Sequence, residues 1–203
     1  MKVIGLTGLI GTGKTTVSNY FAKKGFLVFN SDNCVGNLTK YNQNVIRLIA
    51  ENFNGVVVDG IVDKIKLKQI LFKDYEKNIA ILESIYHPFV KIEIQKFIKK
   101  YRFLFWKDIV LEVPLLFEAQ IDNLCDYTLL VVCSKENQIK RVKKRGPIKE
   151  EDLEKIMKKQ GNVQEKCKKV DFIIDTDETL DYVELQVDNL IKEINSKKLF
   201  GIF

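Results

Sequence analysis

The stretch "GLIGTGKTT", Gly8 to Thr16, decides how this chain is to be read. Before it stands "KVIGLT", Lys2 to Thr7, a nearly continuous apolar run of strand length. After it comes "TVSNYFAKKG", a helical pattern closed by glycine. Gly8, Gly13, Lys14 and Thr15 satisfy G-x-x-x-x-G-K-[ST] between a strand and a helix, the context that pattern requires. Glycines there let backbone N–H groups turn inward around an anion. A helix starting near Lys14 adds the positive end of its dipole. The candidate phosphate-binding residues are therefore Gly8, Gly11, Thr12, Gly13, Lys14, Thr15 and Thr16. Lys14 is expected to reach the β- and γ-phosphates of ATP, and the Thr15 hydroxyl to ligate Mg²⁺.

Outward from this stretch, four more apolar runs read as strands. They are "FLVF" (Phe26 to Phe29), "DIVLEV" (Asp108 to Val113), "YTLLVVC" (Tyr127 to Cys133) and "FIID" (Phe172 to Asp175). Runs without polar alternation suit parallel strands covered on both faces. Most connections are long enough for crossover helices, so the expected fold is a doubly wound α/β sheet of five parallel strands. Two segments exceed a minimal core. Residues 35–105 carry three helical patterns and no core strand, with Pro88 of "PFVKIEIQKFIKKY" at a plausible first helical position. Residues 134–164 hold two charged helices, the first capped by Ser134 and the second following Pro147. One domain, 1–203, thus divides into a core (1–34, 106–133, 165–203), a helical acceptor lobe (35–105) and a lid (134–164).

Composition narrows the class. The chain is 46% hydrophobic and 30% charged, as in a globular protein rather than a disordered one. A net charge of +6 suits a polyanion, either nucleic acid or a phosphate-rich small molecule. Lysine, asparagine and isoleucine are all abundant, so part of that charge is compositional bias. Four cysteines form no C-x-x-C pair, and one histidine cannot complete a zinc site of usual spacing. No apolar run approaches the roughly 18 residues of a membrane span. The expected compartment is the cytoplasm, with no membrane or nucleic-acid partner and a monomer or weak homo-oligomer.

A phosphate cradle does not by itself name a reaction. The N-K-x-D of guanine recognition is absent. A small-molecule kinase needs a base, a cationic lid and an acceptor site, and each has candidates. Asp32, in "VFNSDN" just past the second strand, would lie beside the cradle and could take an acceptor proton. It also fits a cap on the following helix. Arg141 and Arg145 share one helix face and make up half of the four arginines in the chain. Guanidinium forks suit phosphate oxygens, although a solvated basic face is the bland alternative. In "LEVPLLFE", Glu112 could orient Mg²⁺ through water and Glu118 could contact the acceptor.

The chain resembles the dephospho-CoA kinase family nearly end to end. The resemblance rests on "VPLLFE" (Val113 to Glu118), His87-Pro88 in "LESIYHPFV", Asp59-Gly60, Leu67, Phe72, "KRVKKR" and the "KKQ" ending at Gln160. It implies transfer of a phosphoryl group from ATP to the ribose 3′-hydroxyl of dephospho-CoA, giving CoA and ADP as the final step of CoA biosynthesis. It also implies Asp32 as the base, Lys14, Arg141 and Arg145 as catalytic cations, and His87, Pro114, Leu115 and Glu118 as substrate contacts. Another P-loop kinase, of the nucleoside-monophosphate type, is the near rival; an ATP-binding RNA regulator is the distant one. Two departures stand out. Asn30 replaces an aspartate two residues before the base, and Gly36 replaces a basic residue four after it, leaving a lysine such as Lys40 as a substitute.

Overall fold

The computed structural model describes residues 1–104, 108–146 and 148–197. Pro147, expected just before the second charged helix, and residues 105–107, at the expected lobe–core boundary, lie outside the described residues. In chain order the elements are β1 (Lys2–Thr7), α1 (Lys14–Lys23), β2 (Leu27–Asn30), α2 (Ser31–Tyr41), α3 (Gln43–Asn52), β3 (Val57–Val58), β4 (Ile61–Val62), α4 (Lys64–Lys73) and α5 (Tyr75–Phe103). Then follow β5 (Asp108–Glu112), a 3₁₀ turn (Asp122–Leu124), β6 (Tyr127–Val132), α6 (Lys135–Arg145), α7 (Glu150–Lys159), α8 (Val163–Cys167), β7 (Phe172–Asp175) and α9 (Leu180–Lys197).

Five strands form one parallel sheet in the order β2-β5-β1-β6-β7, as the apolar runs predict. Alternation along each strand loads both faces. Val3, Ile109 and Leu111 point to a core shared with α2, α3 and α5. Ile4, Leu6, Val110, Leu129, Val131 and Ile174 point the other way, onto Val17 and Phe21 of α1 and Val183 and Val187 of α9. All strands run the same way, so their carboxyl ends open on one edge, with β1 at the centre between β5 and β6. That edge is where a doubly wound sheet binds its ligand.

The segment between β2 and β5 is richer than three helical patterns. It holds α2, α3, α4 and α5 and an antiparallel β3–β4 hairpin. Asp59 and Gly60 both have positive φ, 51° and 74°, so Asp-Gly makes the tight turn that a two-residue hairpin favours. Pro88 does not begin a helix. It sits inside the 29-residue α5, where it removes one backbone donor. Ile85, Tyr86, Val90, Ile94 and Ile98 are buried on either side of it, and that packing carries the helix through. Ser134 caps α6 as expected, its hydroxyl accepting from the Asn137 N–H at 3.3 Å.

Candidate active site

Residues between β1 and α1 form the cradle. Gly11 has φ 78°, and a Cβ there would stand 2.8 Å from the Gln138 carbonyl of α6, so no side chain fits. This close approach seats α6 directly on the loop. The Thr12 hydroxyl donates to the Leu9 carbonyl at 2.9 Å, and the Thr176 hydroxyl donates to the Thr12 carbonyl at 2.7 Å. Thr12 is buried and Thr16 only partly so.

Lys14 curls over the loop, its ammonium donating to the Gly8 and Leu9 carbonyls at 2.8 and 2.9 Å. The residue is partly exposed, but its ammonium is enclosed, and this desolvation pushes its pKa down to about 8. Asp32 and Glu112 oppose the shift, while Arg145 and Lys166 add to it. Such an ammonium is held by weak acceptors and poised for a stronger anion.

Glu112 ties three elements together. It ends β5 opposite Asn30 of β2 in the sheet register and is only 3% exposed. Its Oε1 accepts from the Thr15 hydroxyl at 2.9 Å. Its Oε2 accepts from the Ser18 hydroxyl at 2.8 Å and the Asn30 side-chain amide at 2.9 Å. A buried carboxylate needs this many donors to stay where it is. The Asn30 side-chain oxygen meanwhile accepts from the Asn33 N–H, capping α2. Capping therefore falls to Asn30, and Asp32 is left free on the first turn.

Two cavities meet at Asp32. One, of about 380 Å³, is lined by Gly11, Gly13, Lys14, Thr15, Glu112 and Arg145 on the cradle side, and by Tyr75, Glu83 and Lys159 opposite. The other, of about 290 Å³, runs under α5 and is lined by Val35, Leu82, Tyr86, His87 and Val90 among others. Asp32, Ile79, Glu83, Pro114 and Leu115 belong to both. Cavity solvent reaches Asp32, yet the walls strip enough water to raise its pKa above the usual carboxylate value. Lys14 opposes this rise and Glu112 reinforces it. Burial lowers the His87 pKa, with Glu83 and Glu118 opposing.

The expected site residues do not all gather at this junction. Arg145, exposed, lines the cradle cavity and also a neighbouring hollow beside Thr16 and Leu180. Arg141 lines neither of the two cavities at Asp32 but shares that hollow with Arg145 and lies on the loop, donating to the Gly11 carbonyl at 3.5 Å. Its guanidinium donates to the Thr176 hydroxyl at 2.8 Å and the Thr176 carbonyl at 2.5 Å. Glu118 lines neither cavity and is bound by the buried Lys166 at 2.6 Å. His87 caps no helix, because α5 runs on either side of it. Lys40 is no substitute for the basic residue absent at Gly36: it is exposed, over the ring of Tyr41, and outside both cavities.

Sequence reading missed the strap. At the end of α7, Lys158 pairs with Glu76 at 3.1 Å and Lys159 with Glu83 at 3.2 Å, both on α5. Gln160 accepts from the Ile10 N–H at 2.6 Å. Three consecutive residues thus join the end of α7 to α5 and to the cradle. Nothing in the spacing of "KKQ" announces these partners.

A parallel sheet of order β2-β5-β1-β6-β7, with a lysine-bearing phosphate cradle on its central strand, defines a P-loop kinase fold. The sequence profile of dephospho-CoA kinase matches residues 2–181. The chain belongs to the dephospho-CoA kinase family. It is 37% identical over 196 residues to a dephospho-CoA kinase of Fusobacterium nucleatum, covering 96% of this chain and 99% of that one. Among solved structures, a Thermus thermophilus protein superimposes with TM-score 0.77 at 27% identity, covering 95% of this chain and 97% of that one. A dephospho-CoA kinase from Campylobacter jejuni shares the fold, with TM-score 0.70 at 24% identity and coverage of 97% and 98%.

Proposed function

We propose that the protein phosphorylates the ribose 3′-hydroxyl of dephospho-CoA with ATP, giving CoA and ADP as the last step of CoA biosynthesis. The observation that carries this reading is Asp32 at the junction of two cavities, one walled by the cradle and one by the helical lobe. Donor and acceptor meet at that carboxylate. The cradle amides from Gly11 to Thr16 and the Lys14 ammonium hold the β- and γ-phosphates. A bond forms from the 3′-oxygen to the γ-phosphorus as the bond from γ-phosphorus to the bridging oxygen breaks. The 3′-hydroxyl proton passes to Asp32. Arg145 steadies charge on the transferring group from the lid side, whereas Arg141 holds the loop at Thr176.

A magnesium ion suits the donor set. The Thr15 hydroxyl donates its proton to Glu112 and so keeps its lone pairs for a hard cation. Glu112 and Asp32 add carboxylate oxygen to the same cavity. Among the described residues no group of three or more His, Cys, Asp or Glu comes together as a metal cage. That agrees with an ion held mostly by nucleotide phosphates and water, which would neutralise phosphate charge.

In this reading residues 35–105 serve as the acceptor lobe and residues 134–164 as the lid over a single core. The partners are small molecules and the compartment is the cytoplasm, and no helix of the described residues is long and apolar enough to cross a membrane. A coupled ADP-release assay with dephospho-CoA, AMP and adenosine side by side tests the proposal. Turnover with dephospho-CoA alone is the expected result; preferential turnover of AMP would assign the chain to the nucleoside-monophosphate class.

A further inference from the structure

Between the buried carboxylate of Glu112 and the helix that carries Asp32 stands Asn30. It ends β2, and in the sheet register it lies beside Glu112, which ends β5. Register partners on neighbouring strands are about 4.8 Å apart and point their side chains to the same face. Directly after Asn30 the chain enters α2, whose second residue is Asp32. The two ends of the Asn30 side chain then do different things. Its Nδ2 donates to Glu112 Oε2 at 2.9 Å. Its Oδ1 accepts from the Asn33 N–H at 2.9 Å and so caps α2. Only one orientation of the amide satisfies both partners, since a carboxylate needs a donor and a backbone N–H needs an acceptor.

Few side chains can do both. Aspartate caps a helix equally well, but it offers Glu112 no donor and sets a second carboxylate against it. Serine also caps, but its single oxygen, on a shorter arm, cannot serve the helix and reach the next strand together. Ser18 of α1 supplies the other donor to Glu112 Oε2, at 2.8 Å. With Oε2 pinned from two elements, Oε1 is aimed at the Thr15 hydroxyl, 2.9 Å away. We infer that Asn30 is a positioning residue for the transfer step: its one planar amide sets the aim of Glu112 and the first turn under Asp32 in a fixed relation. The inference rests on the function proposed above and adds what aligns the two carboxylates it uses. A bound magnesium ion would neutralise phosphate charge, and Asn30 acts on it only through the aim of Glu112.

Asn30→Ser and Asn30→Ala separate aim from capping in the intact enzyme. Asn30 is partly exposed, so neither truncation opens the core. Serine keeps an N-cap and alanine removes it, so Tm should hold in the first and fall in the second. Both lose the bond to Glu112, so both should show the same functional losses. Mn²⁺ affinity, read by its EPR signal in the complex with β,γ-imido ATP, should drop roughly tenfold, and kcat with dephospho-CoA by a similar factor. The KM for dephospho-CoA should hold, because Asn30 lines neither cavity at Asp32. Parent Mn²⁺ affinity and kcat in Asn30→Ser would overturn the inference and leave Asn30 a helix cap only. A raised KM at unchanged kcat would overturn it too, by making Asn30 a binding residue. If the parent failed to phosphorylate dephospho-CoA, the proposed function would fall, while the Mn²⁺ titration would still decide the role of Asn30.

Discussion

The cradle and the lid both read as basic, phosphate-directed segments, but the protein secures them by different means. The cradle is fixed by buried polar bonds: Glu112 takes three donors, and Thr176 bridges Arg141 to the Thr12 carbonyl. Removing one partner there leaves another buried and unsatisfied, at about 1–3 kcal/mol. The far lid helix α7 buries Leu153 and is otherwise held by ion pairs at both ends, Lys143 with Glu150 at its start and Lys158 with Glu76 and Lys159 with Glu83 at its end. Lys158 and Glu76 are 80% and 77% exposed, and pairs like that contribute about 0–1 kcal/mol. In the proposed reaction a cradle held rigidly stabilises developing charge without reorganising, and a lid held largely by surface ion pairs can open for exchange of substrates. The first lid helix belongs with the cradle in this respect, since its backbone rests on Gly11.

Lys14→Ala attacks the rigid side most directly. It should lower kcat/KM by about 10³-fold, with the far-UV spectrum and Tm near those of the parent, because Lys14 bonds only to loop carbonyls. Near-parent turnover would remove the cradle from the reaction. Asp32→Asn comes next, with kcat down roughly 10²- to 10⁴-fold and ATP affinity unchanged. The base works ionised and its pKa is raised by burial, so parent kcat should fall as pH drops through a value above the ordinary carboxylate one. A pH–rate profile checks this, and the variant should lack that acid limb.

Smaller effects probe the lid. Arg145→Lys keeps the charge but loses the planar fork, and single-turnover transfer should slow by about tenfold, less than full removal of a donor would cause. Arg141→Lys should slow transfer less and lower Tm more, because its guanidinium makes two bonds to Thr176. A reversal of that order would move the catalytic cation to the Thr176 side. Lys158→Ala should be the mildest, changing urea-unfolding stability by less than about 1 kcal/mol and leaving kcat alone. A large loss there would mean that the strap is as rigid as the cradle.

Much of this was legible because it is local. The five apolar runs fall on the five sheet strands, Phe172–Asp175 without any shift. The hairpin was equally legible in "VVDGIV", where Asp-Gly between β-branched residues is a turn signal, but the helical patterns on both sides obscure it. Pro88 misled for a physical reason: proline disfavours a helix interior by about 3 kcal/mol, and only the burial of residues on both sides of it, from Ile85 to Ile98, overrides that preference. The ion pair of Glu118 could not be read locally, because its partner, Lys166, lies 48 residues further on.

What the sequence determined by itself is the cradle, since strand, glycines, lysine and helix succeed one another within two dozen residues and each acts on its neighbours. The tertiary structure alone decided which groups face it. Glu112 meets Asn30 across 82 residues and Thr15 across 97, and Gln160 meets Ile10 across 150. Those meetings depend on the order in which parallel strands pair, on which face each side chain takes, and on how far a lid folds back. No local spacing encodes such distances, because the burial that fixes them is shared by the whole sheet.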